Sequence, residues 1–572
     1  RNRGHGLQEN HNKRWRVAAP ITKEVSQELD CYPEILRQVL FNRGQHTLAD
    51  AHRYLSADGT GTDPYLLTGM AAAVERVLCA VDGREKMAVY GDYDVDGVTS
   101  TVLMTQVLRA VGGDARPYIP NRFDEGYGLN KDALDALAHE GVRLVLTVDC
   151  GIRSWEEADY AAEIGLDMII TDHHSPLGEI PNAVAVICQR QSGDQYPDKN
   201  LAGVGLAYKL AQALLSLRPV EGVRVEDWLD LVALGTVADV VPLLGENRAL
   251  VRAGIECMRQ GRRVGLFSLI QAAGLHHERC RASDIGFGLG PRLNAAGRLE
   301  SALASVDLLM ADDIMVSGKL AQQLCDQNTR RQEMTRAMHA QADALIASAT
   351  HDPIFFAFDH EFNQGLVGLV AARLTESYYR PSIVGYMGEE FTRASCRSID
   401  EFHITQALDE CADLLVRHGG HAKAAGFTVA NENLPALTER LRGIAERELS
   451  GHDLRPVMHA DMEVSLIDLR PVILDDLAYV EPTGSGNPEV VFCSRNLRVV
   501  RCKTVGSENN HLRLTVSDGR VTFDGIAFRQ GHWMKEMPES IDLLYTYERN
   551  YFNERVFLQL NVRDLKPAGT PD

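Results

Sequence analysis

Short apolar runs alternate with segments of helical spacing along much of the chain. Residues 18–80 read as mostly helical, with one segment running Glu34 to Leu40 behind Pro33 and another Leu67 to Val81. From Lys86 the pattern becomes β/α. Met87-Ala88-Val89-Tyr90 is a buried strand, Val98 to Val111 an apolar helix, and Leu144 to Val148 a second strand. A helix over Trp155–Ile164, a strand at Met168-Ile169-Ile170-Thr171 and another at Val184–Ile187 follow. Strands that are apolar on both faces, separated by helices, predict a mostly parallel sheet covered on both sides. Helices then dominate from Val204 to about Glu256.

Leu320 to Ser348 is rich in Gln, Ala, Arg, Met and Leu, and predicts one long helix bridging two domains. Ile354-Phe355-Phe356-Ala357-Phe358 opens a second α/β unit that ends near Glu448. Beyond Gly451 five short strands follow, Leu497–Cys502, His511–Val516, Thr522–Phe528, Ile541–Tyr547 and Val556–Val562, which suit a small β-barrel. The expected fold class is therefore α/β, with a parallel-sheet domain, a second α/β domain and a C-terminal barrel. The expected boundaries are 1–17 as a disordered arm, 18–80 helical, 81–300 first α/β domain, 301–350 connecting helix, 351–450 second α/β domain and 451–572 barrel. The barrel follows two complete α/β domains and reads as a module whose removal leaves them intact.

Charge narrows the partners. Lys and Arg number 59 against 79 Asp and Glu, a net −20 over 572 residues. A globally basic surface for nucleic acid or anionic membrane is excluded, so a polyanion must be held by local basic groups or metal ions. The 11 cysteines are scattered without a Cys-x-x-Cys pair, the usage of a reducing compartment, which predicts a cytoplasmic protein. No run of 18 apolar residues occurs, and none of the chain is expected to engage a membrane.

The candidate chemistry sits at strand ends. The first strand runs into Gly91-Asp92-Tyr93-Asp94-Val95-Asp96-Gly97, three carboxylates within five residues. On an extended segment this spacing puts Asp92, Asp94 and Asp96 on one side, where their repulsion calls for a cation. A solvated acidic loop or a helix N-cap is the alternative. The next strands end in Asp149-Cys150-Gly151 and Asp172-His173-His174. In an open parallel sheet, ligands gather at the carboxyl ends of the strands, so these residues share one edge. Carboxylates with imidazole suit Mn²⁺ or Mg²⁺ in a two-metal site. Asp239, isolated in an apolar stretch, is a cap or a core hydrogen-bonding group unless the other ligands face it. No phosphate-binding Gly-rich loop, dinucleotide fingerprint or Gly-x-Ser-x-Gly elbow occurs.

Taken in order, the Gly91–Gly97 segment, Asp149, Asp172-His173-His174 and Asp239 resemble the DHH phosphoesterase family. Pro120-Asn121-Arg122-Phe123-Asp124-Glu125-Gly126-Tyr127-Gly128, Leu289-Gly290-Pro291-Arg292-Leu293-Asn294-Ala295-Ala296-Gly297-Arg298, Ser395-Cys396-Arg397-Ser398 and Gly419-Gly420-His421-Ala422-Lys423-Ala424-Ala425-Gly426 narrow the likeness. They make the chain similar to its RecJ group, bacterial exonucleases that act 5′→3′ on single-stranded DNA and release 5′-mononucleotides. The resemblance implies a DHH domain, a DHHA1-type domain and an OB-fold. It implies two Mn²⁺ or Mg²⁺ ions held by Asp94, Asp96, Asp149, His173 and Asp239, with Asp149 bridging. His174 assists at the phosphate, while Arg122, Arg298, Ser395, Arg397 and His421 hold DNA. Single-stranded DNA with a 5′ end is the implied partner of a monomer in repair and recombination, with a single-strand-binding protein and a helicase as candidate protein partners. The competing readings are a phosphodiesterase for short oligonucleotides or cyclic dinucleotides, and an inactive DNA- or replication-protein scaffold. Cys188-Gln189 and Thr483 depart from the family pattern, as does Tyr90, which stands where many relatives carry His.

Overall fold

In the computed structural model the described residues are 13–57, 59, 61–120, 128–299, 301–349, 351–506, 508–552 and 555–571. They form two compact units: residues 17–326 with 460–571, and residues 327–459 with those before Val17. The first strand, β1 (Arg14–Val17), pairs with Val457–Ala460 and buries Trp15. Residues 14–17 are therefore not part of a disordered arm: Arg14 N–H donates to Pro456 O (2.9 Å) and Ala18 N–H to Ala460 O (2.9 Å). Residues 1–12 lie outside the described residues.

The larger unit contains the parallel sheet, made of β2 (Lys86–Gly91), β3 (Asp114–Tyr118), β4 (Val142–Val148), β5 (Asp167–Thr171) and β6 (Ala185–Ile187). The order is β3-β2-β4-β5-β6, all parallel. Alternation within each strand feeds two cores. Val89, Leu144, Leu146 and Ile169 face helices Met70–Asp82, Val95–Ala110, Gly203–Leu217 and Leu229–Ala238. Ala88, Tyr90, Val145 and Ile170 face helices Lys131–His139 and Trp155–Glu163. Because β3 and β4 lie on opposite sides of β2, the crevice between the carboxyl ends of β2 and β4 is a topological switch point.

The helix Ile314–Ile346 spans 33 residues and carries the chain from the larger unit into the smaller one. There β7 (Phe355–Asp359), β8 (Ser382–Met387), β9 (Phe391–Arg397), β10 (Leu415–His421) and β11 (Ala424–Ala430) form a sheet in the order β10-β11-β9-β8-β7. After β12 (Val457–Ala460) and β13 (Met462–Glu463) the barrel follows. Its strands are β14 (Phe492–Val505), β15 (His511–Ser517), β16 (Thr522–Ala527), β17 (Ser540–Phe552) and β18 (Arg555–Pro567). Pairing of β14 with β17 closes five strands into a barrel. Most strands outrun the apolar runs in the sequence, because ladder pairing continues through solvent-facing residues such as Arg501 and Lys503.

The barrel is not a detachable module. Leu29, Leu36, Val39, Leu40, Ala51 and Tyr54, from the first helices, share one core with Leu466, Val480, Phe492, Leu512 and Leu543. Asn42 Nδ2 donates to Asp461 O (2.8 Å), and Arg43 Nη1 lies 2.8 Å from Asp461 Oδ1. A chain cut near Glu448 thus strands these buried apolar side chains at its N-terminal end. It is expected to melt well below the intact protein and to bind a hydrophobic dye at temperatures where the intact protein does not. Matching melting curves for the two would show that the helices hold without the barrel.

Candidate metal centre

The acidic loop after β2 is a helix start, not the extended segment expected from its spacing. Asp94 caps helix Val95–Ala110, its Oδ1 accepting from the N–H groups of Asp96 (2.9 Å) and Gly97 (3.1 Å). Asp96, in the first turn, is 1% exposed. Its two oxygens accept from Gly203 N–H (2.7 Å) and Val204 N–H (2.8 Å), the start of helix Gly203–Leu217. A helix N-terminus thus holds a buried carboxylate. The packing requires glycine, since a Cβ on Gly203 would lie 2.7 Å from Asp149 Cβ.

Asp149 leaves β4 with φ 60°, a left-handed conformation that turns its carboxylate into the crevice, where it is 2% exposed. Asp239 arrives at the C-terminal end of helix Leu229–Ala238. His173 Nε2 stands 3.2 Å from Asp149 Oδ1, 3.5 Å from Asp239 Oδ2 and 3.8 Å from Asp96 Oδ2. Yet Asp149 Oδ1, Asp239 Oδ2 and both His173 ring nitrogens are buried without a hydrogen-bond partner. Among the described residues, potential ligand atoms fall into three groups, each within 4.8 Å: Asp149-His173-His174, Asp96-His173-Asp239 and Asp92-Asp94-Asp149. Orphaned oxygens facing an orphaned imidazole nitrogen fit a divalent cation, which gives each of them a partner.

The electrostatics agree. Burial, then the Asp94 charge, pushes the Asp96 carboxyl up to about 7. Burial and Asp96 push Asp239 up to about 9, and burial with the neighbouring acids holds Asp149 well above the carboxylate range. Burial drives His173 down to about 3, so it is a neutral imidazole with a lone pair to give. His174 differs. Burial opposes its charge, but Asp172 Oδ1 at 2.7 Å from its Nδ1 outweighs that and raises its pKa. Asp172 is itself fixed by the N–H groups of Ile152 (2.9 Å) and His174 (3.0 Å).

The structure therefore brings Asp94, Asp96, Asp149, His173, His174 and Asp239 to one sheet edge. It adds Asp92, which the expected ligand set omitted although the run of three carboxylates pointed to it. Gly203 and Val204 are the supporting groups missed, and only tertiary contact reveals them; Asp172, read at its strand end, gains its role from the bond to His174. Arg298 is half-buried on helix Gly290–Leu299. That helix touches the acidic loop: Asn294 Oδ1 accepts from Val95 N–H (3.1 Å), and a Cβ on Gly297 would lie 2.9 Å from Tyr93 O. Arg122 lies outside the described residues. In the smaller unit Ser395 and Arg397 share one face of β9 towards Gly368, where a Cβ would lie 3.2 Å from Arg397 Nη2 and 3.5 Å from Ser395 Oγ. His421 is exposed at the end of β10, and its carbonyl accepts from Thr405 Oγ1 (2.8 Å).

The departures are placed as well. The Tyr90 hydroxyl donates to Gly128 O (3.1 Å) inside the core, Gln189 Nε2 donates to Leu201 O (2.8 Å), and Thr483 N–H to Glu481 Oε2 (3.0 Å).

Family models match along the chain in the same order as its domains: the DHH family, N-terminal domain, over residues 86–236, the DHHA1 domain over 351–447 and the RecJ OB domain over 460–564. The single-stranded-DNA-specific exonuclease RecJ of Bacillus subtilis is 36% identical over 560 residues, covering 96% of this chain and 70% of the relative. That of Escherichia coli is 33% identical over 559 residues, covering 94% and 96%. The chain belongs to the RecJ family. Among solved structures, RecJ from Thermus thermophilus in complex with Mn²⁺ superposes with a TM-score of 0.84 at 28% identity, covering 98% of this chain and 80% of that one. The same protein with Mg²⁺ gives 0.77 at 27% identity, covering 98% and 79%. The DHH, DHHA1 and OB architecture of the RecJ family is thus present here. No helix among the described residues is long and apolar enough to cross a membrane.

Removing one charge from the crevice separates fold from ligation. Asp149→Asn relieves repulsion and is expected to raise the melting temperature of the metal-free protein. It should abolish the gain that Mn²⁺ gives the parent, about 2.7 kcal/mol at a hundredfold excess over Kd. Differential scanning calorimetry with and without Mn²⁺ reads both.

Proposed function

We propose that the protein is a metal-dependent exonuclease that degrades single-stranded DNA from its 5′ end to 5′-mononucleotides, in DNA repair and recombination. One observation carries the reading: buried, unpartnered atoms of Asp149, His173 and Asp239 meet at the switch point of the parallel sheet. Asp94, Asp96, Asp149, His173 and Asp239, with Asp92, hold two Mn²⁺ or Mg²⁺ ions. Asp149 belongs both to the group with His173 and to the group with Asp92 and Asp94, so it would serve both ions. The ions supply Lewis-acid polarisation of the scissile phosphate and activation of water near neutral pH.

The chain's own residues do the rest. Asp172 fixes the Nδ1–H of His174, which leaves Nε2 to donate a hydrogen bond to a phosphate oxygen or to the departing sugar oxygen. Ser395 and Arg397, opposite Gly368 in the smaller unit, form an anion pocket for the 5′ end, and burial lowers the Arg397 pKa without removing its charge. Arg122, Arg298 and His421 contact the strand. A closed barrel offers a groove for successive nucleotides, the feature that favours long strands over dinucleotides. The eleven free cysteines suit a reducing, cytoplasmic setting, where the enzyme works as a monomer with a single-strand-binding protein and a helicase.

Product analysis on 5′- and 3′-labelled single strands tests the reading. With Mn²⁺ the 5′ label should appear at once as mononucleotide, and EDTA should stop the reaction. Asp149→Ala should be inactive though folded, and His174→Ala should lose roughly 10²–10⁴ in kcat. Release of the 3′ label first would overturn the polarity.

The anion pocket has its own test. Arg397→Ala removes one charge-assisted contact, about 1.5–3 kcal/mol, and should cut the preference for 5′-phosphorylated over 5′-hydroxyl strands roughly tenfold to a hundredfold. Full retention of that preference would place the pocket elsewhere.

A further inference from the structure

Asp239 is the ligand candidate carried by the end of a helix rather than by the loop after a strand. It ends helix Leu229–Ala238, and Val240 after it is exposed with φ 63°. Three residues later the chain is seized from the barrel side. Leu243 N–H donates to Ser485 O (2.8 Å). Gly484 and Gly486 lie so close that a Cβ would stand 2.8 Å from Leu243 Cδ1 and 3.1 Å from Pro242 Cβ respectively.

The segment 479–488 that makes these contacts is itself pinned. Arg248, 2% exposed, donates to the carbonyls of Tyr479 (2.9 Å), Val480 (2.9 Å), Glu481 (3.0 Å) and Pro482 (3.3 Å), and to Tyr54 O (3.0 Å). Its guanidinium also covers the Tyr54 ring at 4.2 Å. Tyr54 O–H donates to Asn487 Oδ1 (2.7 Å), while Asn487 Nδ2 donates to Val480 O (3.0 Å) and Pro482 O (2.8 Å). Beside Arg248, Asn247 Nδ2 donates to Pro242 O (3.1 Å) and to Asn200 O (2.6 Å). The second of these bonds fixes the approach to Gly203 and Val204, whose amides hold Asp96.

We infer that Arg248 is a positioning residue for the metal centre: by clamping the 479–488 segment onto Pro242–Leu244 it sets where the Asp239 carboxylate stands. The barrel thereby acts on metal binding as well as on the strand. A guanidinium suits this task because its planar fork satisfies several carbonyls at once, which an ammonium cannot. The inference rests on the reading of Asp239 as a metal ligand.

The test is Mn²⁺ binding by titration calorimetry to the full-length protein, a readout independent of turnover. Arg248→Lys keeps the charge and loses the fork, and should weaken Mn²⁺ binding at one site about tenfold. Gly484→Val pushes on Leu243 from the barrel side without touching Arg248, and should do the same. Leu441→Ala, in the separate core of the smaller unit, should lower the melting temperature and leave Mn²⁺ affinity unchanged. Asp239→Ala should lose that site altogether; if it does not, the ligand reading fails. If Asp239→Ala loses the site while folded Arg248→Lys and Gly484→Val bind Mn²⁺ as the parent does, the positioning role is overturned.

Discussion

The structure is organised around a repulsion. Several carboxylates occupy the end of one parallel sheet, and four of them, Asp92, Asp96, Asp149 and Asp172, are almost wholly removed from water. Ionised side chains so placed are unstable unless something answers their charge. Part of the answer is built in. The amides that open helix Gly203–Leu217 hold Asp96, and those that open helix Val95–Ala110 hold Asp94. Asp149 Oδ1 and Asp239 Oδ2 have no such partner, and their raised pKa values show that a proton or a bound cation answers their charge. The glycine at 203, the left-handed backbone at 149 and the close approach of two helix starts all follow from placing those oxygens together.

This arrangement is legible in the sequence where strand geometry carries it. Apolar runs that end in Asp149 and Asp172 announce a sheet edge, because in a parallel sheet every carboxyl end lies on one side. The Asp92–Asp96 run is legible as a cluster but not as a helix start, since a capping carboxylate and a ligating carboxylate look alike in sequence. Asp239 can be named only through family resemblance. Its place depends on how an apolar helix packs across the molecule, and no local pattern encodes that. The amides of Gly203 and Val204 that hold Asp96 are invisible for the same reason.

The barrel shows the limit from the opposite side. Its strands are readable from alternation, whereas independence is a false inference from their position at the end of the chain. The core is completed by Leu36, Val39, Leu40 and Tyr54, more than four hundred residues earlier. A small barrel exposes much apolar surface at its ends, and helices from elsewhere in the chain close it. Position in sequence says nothing about which surface a helix covers.

The paired histidines show how one carboxylate divides two identical side chains. His173 is buried and stays neutral because protonation would require solvation that the crevice withholds. His174, its neighbour at 4.6 Å between ring centroids, points Nδ1 at Asp172, and that carboxylate stabilises the imidazolium. A neutral imidazole offers a lone pair to a cation, whereas a charged one offers protons to a phosphate. Under the proposed function the two states suit different tasks, since a protonated ligand would repel an ion and a neutral donor would give less to a departing oxygen. Asp172, which belongs to none of the clusters of potential ligand atoms, therefore decides the division of labour by taking Nδ1 of one ring and leaving the other alone.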